Sequence, residues 1–551
     1  MCLDRSSSAD HQSSGNSTKT LATEIAGEMD RISHLPESIL HHILSFLNNT
    51  PAELVRMSVL SNTWFRLTAS FAVLNFNIAN FTHVSRQSFF KYLDYATSRF
   101  CFQNLPTAHT FKLVTTVLEP AELDVVNRCL ELLLQNHMMI RELEIDLSYF
   151  TNSSLDVPKY RLPNILLSVS TLTSLTICGC DLPSSFMLHA VRFRSLIQLR
   201  LEKVLIYDEV ITYLATSCPL LQVIQIRCCP GFIRFCVHGH QNLQQVKIQY
   251  TATPVERLDI EAPNLSSLWI VDAYGRGAPL MHLASCKKLT QVVYIGNPLP
   301  NSNAFRDFLS NFPFVETLGL FIHNECNNLM LSSHSLRTLV LCSNCALEEI
   351  ELNTPKLVSF RYACSSSRLF PMVMDNHWTL SRDSTHLKAR MHCYPGAYID
   401  TLWFQKLRYF LSKKNGFKVF NLYIYARYSQ KFKELERLKA IELPPYELEH
   451  VELQLESHEE SLAHIAFVEA ILWCCRPRSL ALRSSSPLTY SEDVVKFTYK
   501  KLLEQEHSRD FKSLSITLTS EGKTVTFNKE EGTLLTPILS DYILDTCITH
   551  T

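Results

Sequence analysis

The sequence predicts an α/β protein in which a small all-helical module of three helices precedes a long array of repeated strands. With 551 residues the chain is longer than one ordinary core, because single cores stop growing near ~250–300 residues. Apolar residues recur at helical spacing around residue 40, and from residue 110 a short strand motif recurs about every 21–32 residues. These observations together favour an elongated repeat array over a single globule.

Composition narrows the possible partners and compartments. Apolar residues make up 46% and charged residues 19% of the chain, and the net charge is −1. This balance argues against nucleic acid or an anionic membrane as a bulk electrostatic partner. No apolar run reaches membrane-span length, and residues 1–20 lack the apolar stretch of a signal peptide. The 18 scattered cysteines are therefore expected to be reduced, buried thiols in a protein of the nucleus, the cytoplasm or both.

The N-terminal region divides into an arm and a helical module. Residues 1–29 are rich in small polar residues and are expected to be a disordered arm. Residues 30–77 predict three short helices, in which Pro36 suits a first turn and Ser61 can cap the third helix. Three such helices bury little by themselves, so a leftover apolar stripe predicts a neighbouring subunit. The stripe of the first helix comprises Leu35, Ile39, Leu40, Ile43, Leu44 and Leu47.

The repeated unit is apolar-x-x-apolar-x-apolar, and ten copies run from Ile140 to Tyr362. This is the pattern of a leucine-rich repeat, and it predicts an irregular horseshoe-shaped solenoid over residues 78–366. A small, amide or thiol residue often follows three places later, as at Cys180 and Cys229, and is expected to satisfy backbone groups in the core. Two half-length units, ending at Ile260 and Leu352, predict additional short strands followed by tight turns.

The region 367–551 predicts a C-terminal continuation of the same architecture. A helix-like segment begins near Trp403, and repeat-like strands follow at Leu448, Leu480 and Leu514. The end of the chain alternates in period two around Glu521-Gly522, which predicts a hairpin. Such a hairpin would cover the open edge of the sheet, as terminal caps of repeat arrays do.

The N-terminal module contains the short motifs Asp30-Arg31-Ile32-Ser33, Leu35-Pro36 and Ser58-Val59-Leu60-Ser61, followed by Trp64. With these residues it resembles the F-box of the large plant F-box/LRR-repeat group, with Asn62-Thr63 where a basic pair is usual. The segment from WFQKLRYFL through LPPYELEHVELQL to ILWCCRPRSLAL is similar to the FBD-like C-terminal part of the same group. The resemblance implies a substrate-recognition subunit of an SCF-type ubiquitin ligase, with the F-box bound to a Skp-type adaptor and through it to a cullin-RING ligase.

The resemblance also assigns a set of adaptor contacts in the module. The expected adaptor-binding residues are Leu35, Pro36, Ile39, Leu40, Ile43, Leu44, Leu47, Val59, Leu60 and Trp64. Some of them must instead pack the helices together, and Trp64 is as well suited to a core position as to an interface.

Target contacts are expected on the outward-alternating positions of the repeat strands. Trp269 and Arg361 are the first candidates, because exposed aromatic and arginine side chains dominate interface energies, and Arg200 and Arg227 complete the predicted set. The mixture of charge signs on this face predicts a protein target and no nucleic acid. The wider face is expected to include Glu142, Glu144, Glu202, Lys247, Arg257 and Phe321.

No motif predicts catalysis, a metal or a cofactor. Cys342 and Cys345 form a lone CxxC without a second ligand pair, and Glu521-Gly522-Lys523-Thr524 lacks the leading glycine of a phosphate-binding loop because position 517 is Thr. HExxH and GxSxG are absent from the sequence. The expectation is a non-enzymatic subunit. The alternatives are a non-ligase interaction scaffold with an altered F-box and a ligand-dependent receptor of the same architecture.

Overall fold

A computed structural model gives the structure of the chain, which divides into two compact units, Met1–Leu196 and Ile197–Thr551. The predicted arm 1–29 and Leu47 lie outside the described residues. The structure describes residues 32, 35–46, 56–69, 73–81, 85–102, 109–116, 119–135, 140–147, 160–183, 193–249, 253–272, 278–296, 308–322, 328–343, 349–364, 387–393, 401–412, 417–424, 445–455, 461–484, 492–506, 515–520 and 523–528.

The N-terminal module contains two described helices, α1 (Glu37–Phe46) and α2 (Asn62–Ala69). The backbone N–H of Trp64 donates to the Ser61 hydroxyl oxygen at 3.2 Å, so Ser61 caps α2 as predicted. The module has a small core formed by Leu40, Leu44, Trp64 and Leu67, with Met57 and Val73 packed against it. Residues 56–58 are helical, but the rest of the expected middle helix lies outside the described residues, so the three-helix arrangement is not confirmed.

The remainder of the first unit is a parallel sheet with helices in its connections. The order of the sheet is β1-β2-β3-β5, and a separate short pair joins β4 to β6. The Arg86 guanidinium fixes the start of one connecting helix by two bonds to the Glu122 carboxylate, at 2.5 and 2.8 Å. The elements are β1 (Val73–Asn77), α3 (Arg86–Phe102), β2 (Thr110–Val114), α4 (Pro120–Gln135), β3 (Glu142–Asp146), β4 (Tyr160–Arg161), β5 (Ser174–Cys178) and β6 (Cys180–Asp181).

The second unit is built on a long parallel sheet. The strands pair in the order β7-β8-β10-β12-β14-β15-β17-β19-β20-β21-β22-β23-β24, all parallel. The main strands are β7 (Gln198–Glu202), β8 (Val223–Arg227), β10 (Gln245–Gln249), β12 (Ser267–Val271), β14 (Gln291–Ile295), β15 (Thr317–Ile322), β17 (Thr338–Ser343), β19 (Ser359–Cys364), β20 (Leu387–Cys393), β21 (Phe417–Ile424), β22 (Tyr446–Leu455), β23 (Cys475–Ser484) and β24 (Ser515–Ser520). The mixed α/β class and the large parallel sheet agree with the predicted repeat architecture.

Each repeat strand buries its alternate apolar residues, which is why the short motif forms a strand. In β7, Leu199 and Leu201 are buried, whereas the residues between and beside them are accessible. Parallel neighbours need a crossover connection, and two kinds occur between these strands. The helix α5 (Asp208–Ser217) connects β7 to β8. Short strands make other connections: β9 (Arg234–Val237), β11 (Arg257–Ile260), β13 (Leu280–His282), β16 (Asn328–Ser332) and β18 (Glu349–Asn353).

These short strands form a second layer of parallel sheets, β9-β11-β13 and β16-β18. The two half-length units predicted from the sequence are thereby confirmed as β11 and β18. One expectation was wrong: Arg257 lies on β11, where it pairs with Asp259, and not on the main sheet. The half-length unit that contains Arg257 contributes a strand to the second layer, so the Arg257 side chain does not lie on the main sheet.

The connections of the C-terminal strands contain the described helices α6 (Thr401–Ser412), α7 (Ser461–Cys474) and α8 (Glu492–Glu506). The helix α7 contacts both of the others, and its Phe467 ring lies 5.5 Å from the ring of Phe404 in α6, measured between centroids. The final strand β25 (Lys523–Asn528) pairs antiparallel with β24. This confirms the predicted hairpin, whose turn at residues 521–522 lies outside the described residues.

The buried cysteines behave as the repeat pattern predicts. The thiols of Cys229 and Cys180 donate to the backbone carbonyls of Leu201 and Cys178, each at 3.4 Å. Burial raises the pKa of the Cys180 thiol well above its ordinary value, so this thiol remains protonated and structural. The corresponding positions Ser148, Thr251, Ala273, Asn297, Asn344 and Ser365 lie outside the described residues.

Candidate protein-interaction surfaces

Helix α1 carries two apolar stripes that have different environments. Leu40 and Leu44 lie four residues apart and are fully buried in the module core. Ile39, Ile43 and Phe46 follow the adjacent stripe at helical spacing, and the Ile39 side chain is 45% and the Phe46 side chain 75% exposed. The module therefore buries one stripe and leaves the other accessible to solvent.

A turn before α2 adds two more exposed apolar side chains. Val59 and Leu60 are 80% and 68% exposed. The backbone N–H groups of these residues donate to the carbonyls of Arg56 and Met57 at 3.4 and 3.1 Å, and the Met57 side chain packs against the module core. The backbone of the turn is thus anchored, while its two largest aliphatic side chains stay in solvent. We call Leu35, Ile39, Phe46, Val59 and Leu60 the exposed apolar set of the module.

The structure divides the residues that the sequence assigned to adaptor binding. Leu35, Pro36, Ile39, Val59 and Leu60 are exposed and Ile43 is half-buried, whereas Leu40, Leu44 and Trp64 belong to the core. The sequence prediction omitted Phe46, although its position three residues after Ile43 could have indicated it. The three core residues would affect any docking through the fold of the module and not by direct contact.

The main sheet of the second unit has an open face, which we define as the outward positions of its strands. One row of this face runs through consecutive strands in register, beginning at Arg200 in β7 and reaching Arg361 in β19. The residues between them are Gln225, Lys247, Trp269, Val293, Gly319 and Val340. Three of the four predicted target contacts lie in this row, and Arg227 lies two positions further along β8.

The β7–β8 end of the open face is occupied by interactions within the chain. The Arg200 Nε donates to the Gln225 side-chain oxygen at 2.8 Å. The guanidinium of Arg227 lies 3.7 Å from the carboxylate of Glu202. Since both predicted arginines already bind neighbours, a target would have to replace these interactions to use them.

The middle of the open face is apolar. The outward positions of β12, β14, β15 and β17 carry Trp269, Val293, Gly319 and Val340 in one row. Gly319 has no side chain, and a Cβ at this position would lie 3.2 Å from the Val293 side chain. The glycine therefore leaves space for the Val293 side chain on the adjacent strand. The ammonium of Lys247 lies 5.2 Å from the centre of the Trp269 ring, in a cation–π contact.

Arg361 follows this apolar stretch on β19. Its positive charge lies close enough to Cys342 on the adjacent strand to lower the pKa of that thiol, although burial is the larger influence and raises it overall. Among the residues that the structure describes, no carboxylate forms a salt bridge with Arg361. A guanidinium has the planar donor geometry that binds an anionic group of a partner in bidentate form.

A cavity of about 420 Å³ lies elsewhere in the second unit, beside the second layer. Its lining is mainly apolar and includes Met281 and Leu283 near β13 and Phe312 and Phe314 before β15. Within the described ranges, no three His, Cys, Asp or Glu side chains are grouped as a metal site would require. Of the helices described, none has the length and apolar character needed to span a bilayer.

The fold and these surfaces define the class: a repeat protein with parallel strands and an N-terminal helical module that exposes apolar side chains. Comparison with known proteins shows which family the chain is similar to. Residues 126–300 match the family model described as "FBD-associated F-box protein At5g56370, LRR repeats". The chain is 28% identical over 204 residues to the probable FBD-associated F-box protein At1g32375 of Arabidopsis thaliana, an alignment that covers 37% of this chain and 45% of the relative.

Two further relatives from Arabidopsis thaliana extend the match. The F-box/FBD/LRR-repeat protein At1g78750 is 25% identical over 330 residues, covering 55% of this chain and 68% of the relative. The F-box/LRR-repeat protein 25 is 24% identical over 248 residues, covering 44% of this chain and 86% of the relative. The chain spans less than half the length of At1g32375. These matches confirm the resemblance that the sequence carries and support a plant F-box/LRR/FBD protein.

Proposed function

We propose that the chain is a substrate-recognition subunit of an SCF-type ubiquitin ligase, acting in the nucleus, the cytoplasm or both. In this proposal the F-box module docks a Skp-type adaptor, and through it a cullin-RING ligase, while the repeat sheet binds a target protein. The F-box and LRR names of the relatives support this assignment and point to a non-catalytic role.

The exposed apolar set of the module is the observation that carries the adaptor half of the proposal. Val59 and Leu60 are largely exposed on a turn whose backbone is held by hydrogen bonds and by Met57. Because the backbone of the turn is already held, little backbone freedom is lost when a partner covers these side chains, so more of the free energy of burial remains for binding. A partner that covers them would gain roughly 1.5–3 kcal/mol for each side chain fully buried.

Ubiquitin transfer would follow from proximity. A bound target is held near a ubiquitin-conjugating enzyme, so lysine attack becomes effectively intramolecular and gains from a high effective concentration. The protein would perform no bond chemistry itself, and the fixed parallel sheet would serve to hold the target.

Co-purification with a recombinant Skp-type adaptor tests the proposal. We expect the unmodified chain to retain the adaptor and the Val59→Asp/Leu60→Asp variant to lose it, because two carboxylates would have to be desolvated in the interface. The matched control is Leu280→Asp, which places a carboxylate at another exposed apolar position, 68% exposed, in the second unit. Unchanged thermal unfolding of both variants would show that folding is not affected.

Two outcomes would contradict the proposal. If the unmodified chain retains no Skp-type adaptor, the protein is a repeat scaffold without ligase assembly. If the Val59→Asp/Leu60→Asp variant retains adaptor as well as the Leu280→Asp variant does, the exposed apolar set is not the docking surface.

A further inference from the structure

The charge distribution of the open face indicates the chemistry of the target. From β8 through β21, no strand of the main sheet contains an aspartate or glutamate. The same strands carry Lys247 and Arg361 at outward positions of one row, and Arg390 follows in register on β20. Two acidic residues flank these strands: Glu316 precedes β15 and is near Arg337, at 3.9 Å, and Asp272 directly follows β12.

The apolar stretch of the row lies between these two positive ends. Trp269, Val293 and Val340 are half-buried and remain partly accessible on the open face. Large apolar side chains on a sheet face that is bordered by cations favour a partner with apolar residues in its middle and carboxylates outside them.

We propose that the open face from β10 to β19 binds an acidic segment of the target protein whose central residues are apolar. This inference rests on the proposed function, since it specifies the target that the repeat sheet would present to the ligase. Apolar side chains of the segment would contact Trp269, Val293 and Val340. Its carboxylates would contact Lys247 at one end and Arg361 at the other, in bidentate form at the arginine.

Strand spacing sets the length of the segment. Lys247 and Arg361 are separated by five strand-to-strand steps, or roughly 24 Å at ~4.8 Å per step. An extended peptide advances ~3.3 Å per residue, so roughly seven residues bridge the two cations. A segment of about ten residues therefore suffices to place carboxylates over both ends and apolar side chains between them.

A designed peptide tests this inference directly. The probe is a fluorescein-labelled decapeptide with two glutamates at each end and six leucine, isoleucine and valine residues in the middle, measured by fluorescence anisotropy against the full chain. We expect saturable binding that weakens as salt is added. The same peptide with lysines in place of the glutamates should bind at least about tenfold more weakly.

Charge reversal on the protein provides the matched comparison. The Lys247→Glu/Arg361→Glu variant should bind the acidic peptide at least about tenfold more weakly and should favour the lysine peptide. The control variant is Arg234→Glu, which reverses an exposed charge on β9 in the second layer and should leave the affinity for the acidic peptide unchanged.

Three results would overturn the inference: no measurable binding of the acidic peptide, equal binding to the charge-reversed and unmodified chains, or tighter binding of a ten-nucleotide single-stranded RNA than of the peptide. Adaptor co-purification is measured on the same samples. Retention of adaptor by the charge-reversed variant would show that a loss of peptide binding arises at the sheet. Peptide binding without adaptor retention would overturn the ligase assignment and leave the assigned target chemistry in place.

Discussion

The N-terminal module and the repeat sheet use the same apolar residue types but differ in how many they bury. In the repeat sheet, the apolar positions of each motif, such as Leu268 and Ile270 in β12, are buried. In the module, Leu40 and Leu44 are buried while Ile39 and Phe46 on the same helix are exposed. An apolar face is buried only where another element packs against it, and a module of short helices offers few such elements.

This difference has a consequence for function. In a repeat array each added strand packs against the previous one, so the apolar residues of the motif are buried and contribute to the stability of the fold. A module of a few short helices cannot enclose all of its apolar side chains, so the remaining ones are available for a partner. Exposed apolar residues in the module therefore indicate a binding surface. A residue on the open face of the sheet indicates one only where its side chain is not already bound to a neighbour.

The largest expected effect is the loss of an aromatic core residue in the repeat sheet. Phe360→Ala removes a side chain that is 2% exposed and should lower the free energy of unfolding by about 3–5 kcal/mol. The adjacent Arg361→Ala should change it by less than about 0.5 kcal/mol, as surface substitutions do. Urea denaturation of the two variants measures the contrast, and similar losses for both would contradict the assignment of Arg361 to the open face.

The module should show the same contrast on a smaller scale. Leu44→Ala is expected to lower the stability of the module by about 2–5 kcal/mol, with the lower end favoured because a small core relaxes more easily. Val59→Ala, at a side chain 80% exposed, should leave it nearly unchanged while weakening adaptor binding. Hydrogen-exchange rates of the α1 and α2 backbone amides measure the stability of the module separately from that of the repeat sheet. Strong destabilisation by Val59→Ala would mean that this side chain is part of the core.

Helix capping gives a smaller effect within the module. The Ser61 hydroxyl accepts a hydrogen bond from the Trp64 backbone N–H at the start of α2, so Ser61→Ala should cost about 1 kcal/mol. Ser61→Asp serves as the control and should retain most of the stability, because a carboxylate also caps a helix. Faster hydrogen exchange confined to the first turn of α2 is the expected result, and unchanged exchange in both variants would argue against the cap.

The smallest expected effect is a pH dependence in the C-terminal region. His464 in α7 is 1% exposed, and burial lowers the pKa of its imidazole below the ordinary value of 6.5. The His464 imidazole therefore binds a proton more readily in the unfolded chain than in the folded chain. The contribution of His464 to stability is complete above pH 6.5 and is lost as the pH falls from 6.5 through the lowered folded-state pKa.

Thermal unfolding of the His464→Phe variant between pH 5 and 8 measures this effect. The variant should lose the part of the pH dependence below 6.5 that the unmodified chain shows. The His334→Phe variant is the matched control, because this imidazole is exposed between β16 and β17. An identical pH dependence for His464→Phe and the unmodified chain would show that the imidazole is not shielded from water.

The sequence predicted particular elements well because local periodicity determines them. The motif at Leu265, Leu268 and Ile270 forms β12, and the alternation around residue 521 forms the β24–β25 hairpin. The half-length units were also predicted, but the layer to which they belong was not, which is why Arg257 was expected on the wrong sheet. A motif specifies which residues turn inward and leaves open which neighbouring strand they pack against.

The candidate surfaces were only partly predictable. The sequence indicated Trp269 and Arg361 but could not show that Arg200 and Arg227 are occupied by Gln225 and Glu202, because those contacts join residues on different strands. The apolar stripe of the first helix and the F-box resemblance predicted ten adaptor-binding residues. The stripe did not indicate which side of α1 packs against Trp64. Phe46 was omitted although its spacing from Ile43 could have indicated it.

By itself the sequence determined the class of the protein, the helical module near residue 40, the repeated strands and the reduced state expected of the cysteines, because spacing and residue type act over a few neighbouring positions. Tertiary structure alone decided which apolar side chains of α1 remain exposed, which arginines of the sheet already have partners, and that the outward positions from Lys247 to Arg361 lie in one row. Those properties depend on pairs of residues that strand register and helix packing bring together. Such pairs lie far apart in the sequence, so local spacing and residue type do not predict them.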